Sequence, residues 1–227
     1  MNLIIDVGNT RIKAAVFEKD SLLKVFVFNK EVLIEEVEKI VLQYKILSGI
    51  ISSVATISKS QQEKMQEILP FLVLNNETQI PFVNLYATPK TLGVDRIALI
   101  AEAVKRYPLK CVLVIDAGTC ITYDFVNSKK EYLGGAISLG INIRYKALHT
   151  YTSKLPLLKT QPIDNFIGNS TETSMHSGVI NGILNEIDGV IGQYKERNTD
   201  LTIVLTGGDA NFLAKQLKSS IFANPNF

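Results

Sequence analysis

Two stretches of the chain follow one pattern. Ile4-Ile5-Asp6-Val7-Gly8-Asn9-Thr10 and Val114-Ile115-Asp116-Ala117-Gly118-Thr119-Cys120 each consist of a short apolar run, an aspartate near its end and a glycine two residues on. Such a run predicts a buried strand, and the glycine beyond it a tight turn. The order of elements around each copy also repeats. The first copy opens predicted strands over 3–6, 12–16 and 22–28, a helix over 31–44, a strand over 46–54, a helix over 58–68 and a short strand over 71–74. A further helix is expected over 95–107, where Pro108 marks its end. The second copy opens strands over 111–116, 121–126 and 132–137, helices over 141–150 and 171–197, a strand over 201–205 and a helix over 210–217. Three strands, helix, strand, helix, recurring about 110 residues apart, is an internal duplication rather than a solenoid. It constrains the chain to an α/β fold of two related halves, 1–107 and 108–227.

Composition narrows the function. With 24 basic residues and a formal charge of +2, the chain is near neutral, and no basic run exceeds a pair such as Lys129-Lys130. That is no footprint for nucleic acid. Cys111 and Cys120 form no CxxC motif and are distant in sequence from His149 and His176, so two reduced, mostly buried thiols are expected and a zinc site is not. No apolar run approaches the roughly 20 residues that span a bilayer. The chain starts without a signal-peptide pattern, and a cytoplasmic protein with no membrane partner is expected.

The repeated turns suit phosphate chemistry. Glycine lets a row of backbone N–H groups face an anion, and Gly8-Asn9-Thr10 and Gly118-Thr119 add hydroxyl or amide donors. Aspartates at the strand ends can hold Mg²⁺ against phosphates, directly or through water. Each turn alone is equally what a β-hairpin needs. The pair, with Thr206-Gly207-Gly208-Asp209 as a third glycine turn between strand and helix, favours the phosphate site. The P-loop pattern, the protein-kinase signatures and the dinucleotide glycine motif are all absent, so any ATP site has another architecture. Leu92-Gly93-Val94-Asp95-Arg96 places a carboxylate and a guanidinium at a helix start. Asp95 there can take a proton from a substrate hydroxyl, and Arg96 can hold an anion. Helix capping is the simpler role for the same aspartate.

Taken together, these motifs resemble the type III pantothenate kinases. The resemblance rests on Asp6-Val7-Gly8-Asn9-Thr10 with Lys13, Gly93-Val94-Asp95-Arg96, Asp116-Ala117-Gly118-Thr119 with Thr122 and Asp124, Gly134-Gly135-Ala136-Ile137, and Thr206-Gly207-Gly208-Asp209-Ala210. It covers essentially the whole chain. It implies the fold of the acetate and sugar kinase, chaperone ATPase and actin superfamily: two duplicated ribonuclease-H-like domains, each with a mixed sheet, and the active site in the cleft. It also implies phosphorylation of pantothenate by ATP, the first step of coenzyme A synthesis. On that footing Asp95 is the general base. Tyr86, Gly93, Val94, Asp95, Arg96 and Thr171 line the pantothenate site. Asp6, Val7, Gly8, Asn9, Thr10, Arg11, Ile12 and Lys13 form the first ATP loop, and Thr119 contacts the nucleotide. Asp116 is the ligand of a monovalent cation, K⁺ or NH₄⁺, required besides Mg²⁺. A homodimer is implied too, and the glycine-punctuated stretch 171–192 is its candidate face, although an intrachain core helix would read the same way.

Two departures from the family pattern stand out. Leu139 occupies the position of the family's proline after Gly134-Gly135, which predicts a looser turn, since proline fixes φ. The chain also reaches Phe227 soon after the last predicted helix, which suggests an incomplete wall on the adenine side. The competing function is a non-catalytic accessory or regulatory binding protein on the same fold. An exopolyphosphatase of the superfamily would lack the Gly-x-Asp-Arg stretch.

Overall fold

A computed structural model describes residues 1–8, 10–53, 57–163, 165–224 and 227. They form two compact units. The first comprises Met1–Ile80 with Thr88–Ala98, and the second Pro81–Ala87 with Leu99–Phe227.

Alternation builds the first unit. In β1 (Asn2–Val7), Leu3, Ile5 and Val7 are buried and the residues between them are not, the period-two pattern of a strand with one face on a core. β2 (Ile12–Glu18) repeats this with Ile12, Ala14 and Val16, and β3 (Ser21–Phe28) completes an antiparallel meander. A 3-10 turn at Lys30–Val32 leads into α1 (Leu33–Tyr44), which buries Leu33, Val37 and Ile40 at helical spacing. β4 (Ser48–Ser53) then returns parallel to β1. α2 (Lys59–Ile68) opens with a capping box between Ser58 and Gln61, and β5 (Phe71–Val73) pairs parallel with β4. The sheet order is β3-β2-β1-β4-β5, and its core joins the inward residues of β1 and β2 to Leu33, Val37, Ile40 and Met65 of the helices.

The units are not separated by one cut in the chain. β6 (Val83–Asn84) pairs with the second sheet, and α3 (Val94–Arg106) is divided, its first turn counting with the first unit. The second unit continues with β7 (Cys111–Ala117), β8 (Cys120–Val126), β9 (Glu131–Leu139), α4 (Ile141–Thr150), α5 (Thr171–Arg197), β10 (Leu201–Thr206), α6 (Ala210–Ala214) and β11 (Phe222–Ala223). Its sheet order is β11-β10-β7-β8-β9-β6. Matching β7 to β1, β8 to β2, β9 to β3, β10 to β4 and β11 to β5 gives the same topology, with β6 added at the β9 edge. The sequence duplication is therefore a duplication of fold. α5 lays Val179, Ile180, Ile183, Ile187 and Ile191 on this sheet's core, so one face of the stretch 171–192 is intrachain core. Among the described residues, a Cβ at Gly178, Gly189 or Gly192 on the same helix would meet nothing within 4 Å beyond its own stretch of helix.

The expected buried thiols need correction. Cys120 is exposed and Cys111 only partly buried, because each occupies the first position of its strand, Cys120 beside the open Gly118-Thr119 turn. α6 is shorter than the predicted 210–217: after Ala214 the chain continues as turns closed on the Leu213 carbonyl by the N–H groups of Gln216 and Leu217. No helix among the described residues is long and apolar enough to cross a membrane.

Candidate active site

In the first unit, strand register assembles three polar side chains. Asp6 lies on the face of β1 opposite the core, with Lys13 paired to it on β2 and Ser52 on β4. Ser52 Oγ donates to Asp6 Oδ1 at 3.1 Å. Burial pushes the Asp6 carboxyl above its usual range. The Ser52 hydrogen bond opposes the shift, the Asp95 carboxylate adds to it, and Lys13 partly reverses it. The Gly8 N–H donates to the Arg11 carbonyl at 3.2 Å and closes the loop. Val7 and Ile12 are buried in the core, so only their backbone can serve a ligand, whereas Thr10, Arg11 and Lys13 are exposed. Asn9 lies outside the described residues.

The start of α3 supplies the second carboxylate. The Gly93 carbonyl accepts the N–H of Ile97 at 3.1 Å, and Val94 is the first helical residue. Asp95 Oδ1 accepts the Arg96 N–H at 2.8 Å, folding over Gly93 as it does so. Asp95 thus satisfies a first-turn donor and also stands within electrostatic reach of Asp6. The two roles proposed for it are compatible. The Arg96 side chain is buried.

The second unit repeats the arrangement with different neighbours. Asp116 is paired with Thr122 on β8 and Thr206 on β10, where Asp6 has Lys13 and Ser52. Gly207 follows at φ +94°, and a Cβ there would overlap the Asp116 carboxylate and the Ala117 carbonyl. The Asp209 N–H donates to that carbonyl at 2.9 Å, and burial raises the Asp209 pKa. The second turn closes through the Gly118 N–H and the Cys120 carbonyl at 2.9 Å, with Thr119 exposed at its tip.

Tyr86 stacks on Tyr132 with ring centroids 6.0 Å apart. The Tyr132 hydroxyl donates to Asp124 Oδ1 at 2.7 Å, and Thr122 Oγ1 donates to Asp124 Oδ2 at 3.0 Å. Asp124 is completely buried, so it anchors the platform under Tyr86. Thr171 is the first residue of α5, but the cap is Ser170, in a capping box with Thr173. Thr171 instead lines a cavity of about 1170 Å³ with Leu139, Arg144, Tyr151, Ser170 and Ser174. Sequence reading passed over Arg144, Glu186 and Tyr123, a hydrogen-bonded set on α4, α5 and β8. The advance signal for Arg144 and Glu186 was charge within a helix that also carries apolar residues, and Tyr123 gave none.

Among the described residues, no group of three or more His, Cys, Asp and Glu stands together as a metal cage. Isolated carboxylates suit Mg²⁺, which keeps its waters and binds through one or two carboxylates plus substrate phosphates. The half-buried Asp6 near a second carboxylate is a donor set that a cation would relieve.

Two α/β sheets of matching order, each with an aspartate and a glycine turn at the end of its first strand, define the actin-like ATPase and sugar kinase fold. The Lmo2764 protein of Listeria monocytogenes, a candidate N-acetylmannosamine kinase, shares that fold, with a TM-score of 0.54 at 13% identity over 99% of this chain and 93% of that one. A conserved Campylobacter jejuni protein, described as a candidate Baf family transcriptional activator, gives a TM-score of 0.62 at 25% identity, covering 97% and 90%. The family model for type III pantothenate kinase matches residues 2–193. The type III pantothenate kinase of Flavobacterium johnsoniae is 50% identical over 228 residues, covering 100% of this chain and 93% of that protein. The chain belongs to the type III pantothenate kinase family and is a kinase; the accessory-protein alternative is not favoured.

Proposed function

We propose that this protein transfers the γ-phosphoryl group of ATP to the primary hydroxyl of pantothenate, giving 4'-phosphopantothenate, the first step of coenzyme A synthesis. The observation that carries the proposal is the Asp6–Asp95 pair: one carboxylate at the end of β1, a second at the start of α3, close enough for Asp95 to help raise the Asp6 pKa. Asp95 accepts the hydroxyl proton as the hydroxyl oxygen attacks phosphorus. The backbone of the loop from Asp6 to Lys13 holds the phosphates, with the Lys13 ammonium opposing their charge. Gly93, Val94, Arg96, Tyr86 and Thr171 bind and orient pantothenate. Thr119 meets the nucleotide, and Asp116 holds K⁺ or NH₄⁺. Asp6 would hold Mg²⁺, which when bound neutralises charge on the phosphate oxygens. Residues 1–107 and 108–227 are the two repeats, and the enzyme works in the cytoplasm as a homodimer.

The test is ADP release from Mg·ATP, with and without pantothenate, in potassium or in sodium. Release should depend on pantothenate and fall when sodium replaces potassium. Asp95→Asn should lose about 10²–10⁴-fold in turnover while still binding ATP. ADP release indifferent to pantothenate would overturn the proposal.

A further inference from the structure

The Gly118-Thr119 turn is held from outside its own hairpin. The Gly140 N–H donates to the Thr119 carbonyl at 3.1 Å. The backbone there is so close that a Cβ at position 140 would overlap the carbonyl oxygens of both Gly118 and Thr119. Whatever fixes Gly140 therefore fixes the turn. Gly140 is the N-cap of α4 and has no side chain with which to cap it.

Arg144, one helical turn further on, holds that junction. Its N–H donates to the Gly140 carbonyl at 3.2 Å, its Nε to the Leu139 carbonyl at 2.9 Å, and its Nη2 to Ser138 Oγ at 3.2 Å. The same Nη2 is ion-paired with Glu186 of α5, and Glu186 Oε1 accepts the hydroxyl of the buried Tyr123 on β8 at 2.9 Å. Burial would raise the Glu186 pKa, but hydrogen bonds from Arg144, Ser138 and Tyr123 outweigh it and hold the carboxyl below its usual range. Glu186 is thus a fixed anion tied to the sheet. The planar guanidinium spans a carbonyl, a hydroxyl and a carboxylate at once, which an ammonium cannot match.

We infer that Arg144, anchored by Glu186, is a positioning residue for nucleotide binding: it sets the β9–α4 junction, and the junction sets the Thr119 turn. The inference rests on the proposal above that this turn meets the nucleotide. Arg144 also borders the cavity that Thr171 lines, so the contrary expectation is a direct role on pantothenate.

The experiment compares the unaltered chain with Arg144→Met, Arg144→Lys and Glu186→Gln, reading KM for each substrate and amide hydrogen exchange across residues 117–121. Arg144→Met should raise KM for ATP about tenfold or more, leave KM for pantothenate within about twofold, and speed exchange in that peptide. Glu186→Gln should move the same two readouts less, and Arg144→Lys should recover part of the loss. An unchanged KM for ATP in active variants, or a rise confined to pantothenate, overturns the inference. If Arg144→Met fails to fold, Glu186→Gln carries the same test. A wild-type protein without pantothenate-dependent turnover refutes the proposed function instead. The inference then stands or falls on whether Arg144→Met weakens ATP binding and speeds exchange in that peptide.

Discussion

Asp6 is less acidic in the native protein than it would be in water. Its folded pKa is raised by burial, with Asp95 adding to the shift against Ser52 and Lys13, so between its unfolded and folded pKa the native state binds more protons than the unfolded chain. Stability from this group is present below the unfolded value and is lost as pH rises through the folded one. At neutral pH the raised pKa is a cost to folding, since the carboxyl ionises more readily in the unfolded chain. Asp6→Asn keeps an acceptor for Ser52 and removes the charge. Without nucleotide or Mg²⁺, the variant should melt above the wild type near pH 7, and the gain should shrink towards pH 4. Each kcal/mol relieved reads as about 2–4 °C in a chain of this size. A variant that melts lower at pH 7, or a gain independent of pH, would remove this account of Asp6. The aspartate itself was legible in sequence because it ends an apolar run before a glycine. Ser52 was not, since it reaches Asp6 only through the parallel β1–β4 register.

At the scale of elements, the strand-end aspartates work because their neighbours were placed by pairing. Asp116 stands between Thr122 and Thr206, and Gly207 beyond β10 leaves room for its carboxylate. Gly207→Ala forces a Cβ into that carboxylate at φ +94° and should cost on the order of 1–3 kcal/mol in urea unfolding. A cost near zero would mean that the turn relaxes freely and does not shape Asp116. The long helices and main strands were legible from periodicity. β6 and β11 were not, because two residues carry no period and each strand forms only by addition to an edge. Leu139, expected to loosen its turn, has its carbonyl held by Arg144. The Asp124–Tyr132–Tyr86 platform likewise depends on the β8–β9 pairing and on the stacking of a residue from the 81–87 segment, neither of which local sequence displays.

For the whole molecule, the repeated motif at Asp6 and Asp116 was the strongest signal, and the two sheets follow it strand for strand. The copies then diverge in chemistry: an ammonium and a serine flank Asp6, and two threonines flank Asp116. In the proposed function the duplicated carboxylate turns serve a nucleotide and its cations. The acceptor in that proposed function is chosen elsewhere, by Gly93-Val94-Asp95-Arg96, which lies outside the duplicated turns. The fate of the phosphoryl group tests that assignment most directly. ATP labelled in its γ-phosphate, incubated with the enzyme, Mg²⁺, potassium and pantothenate, should pass its label to a phosphate monoester on the primary hydroxyl of pantothenate, seen by ³¹P NMR and by mass. Label appearing only as inorganic phosphate, or at equal rate without pantothenate, would contradict it.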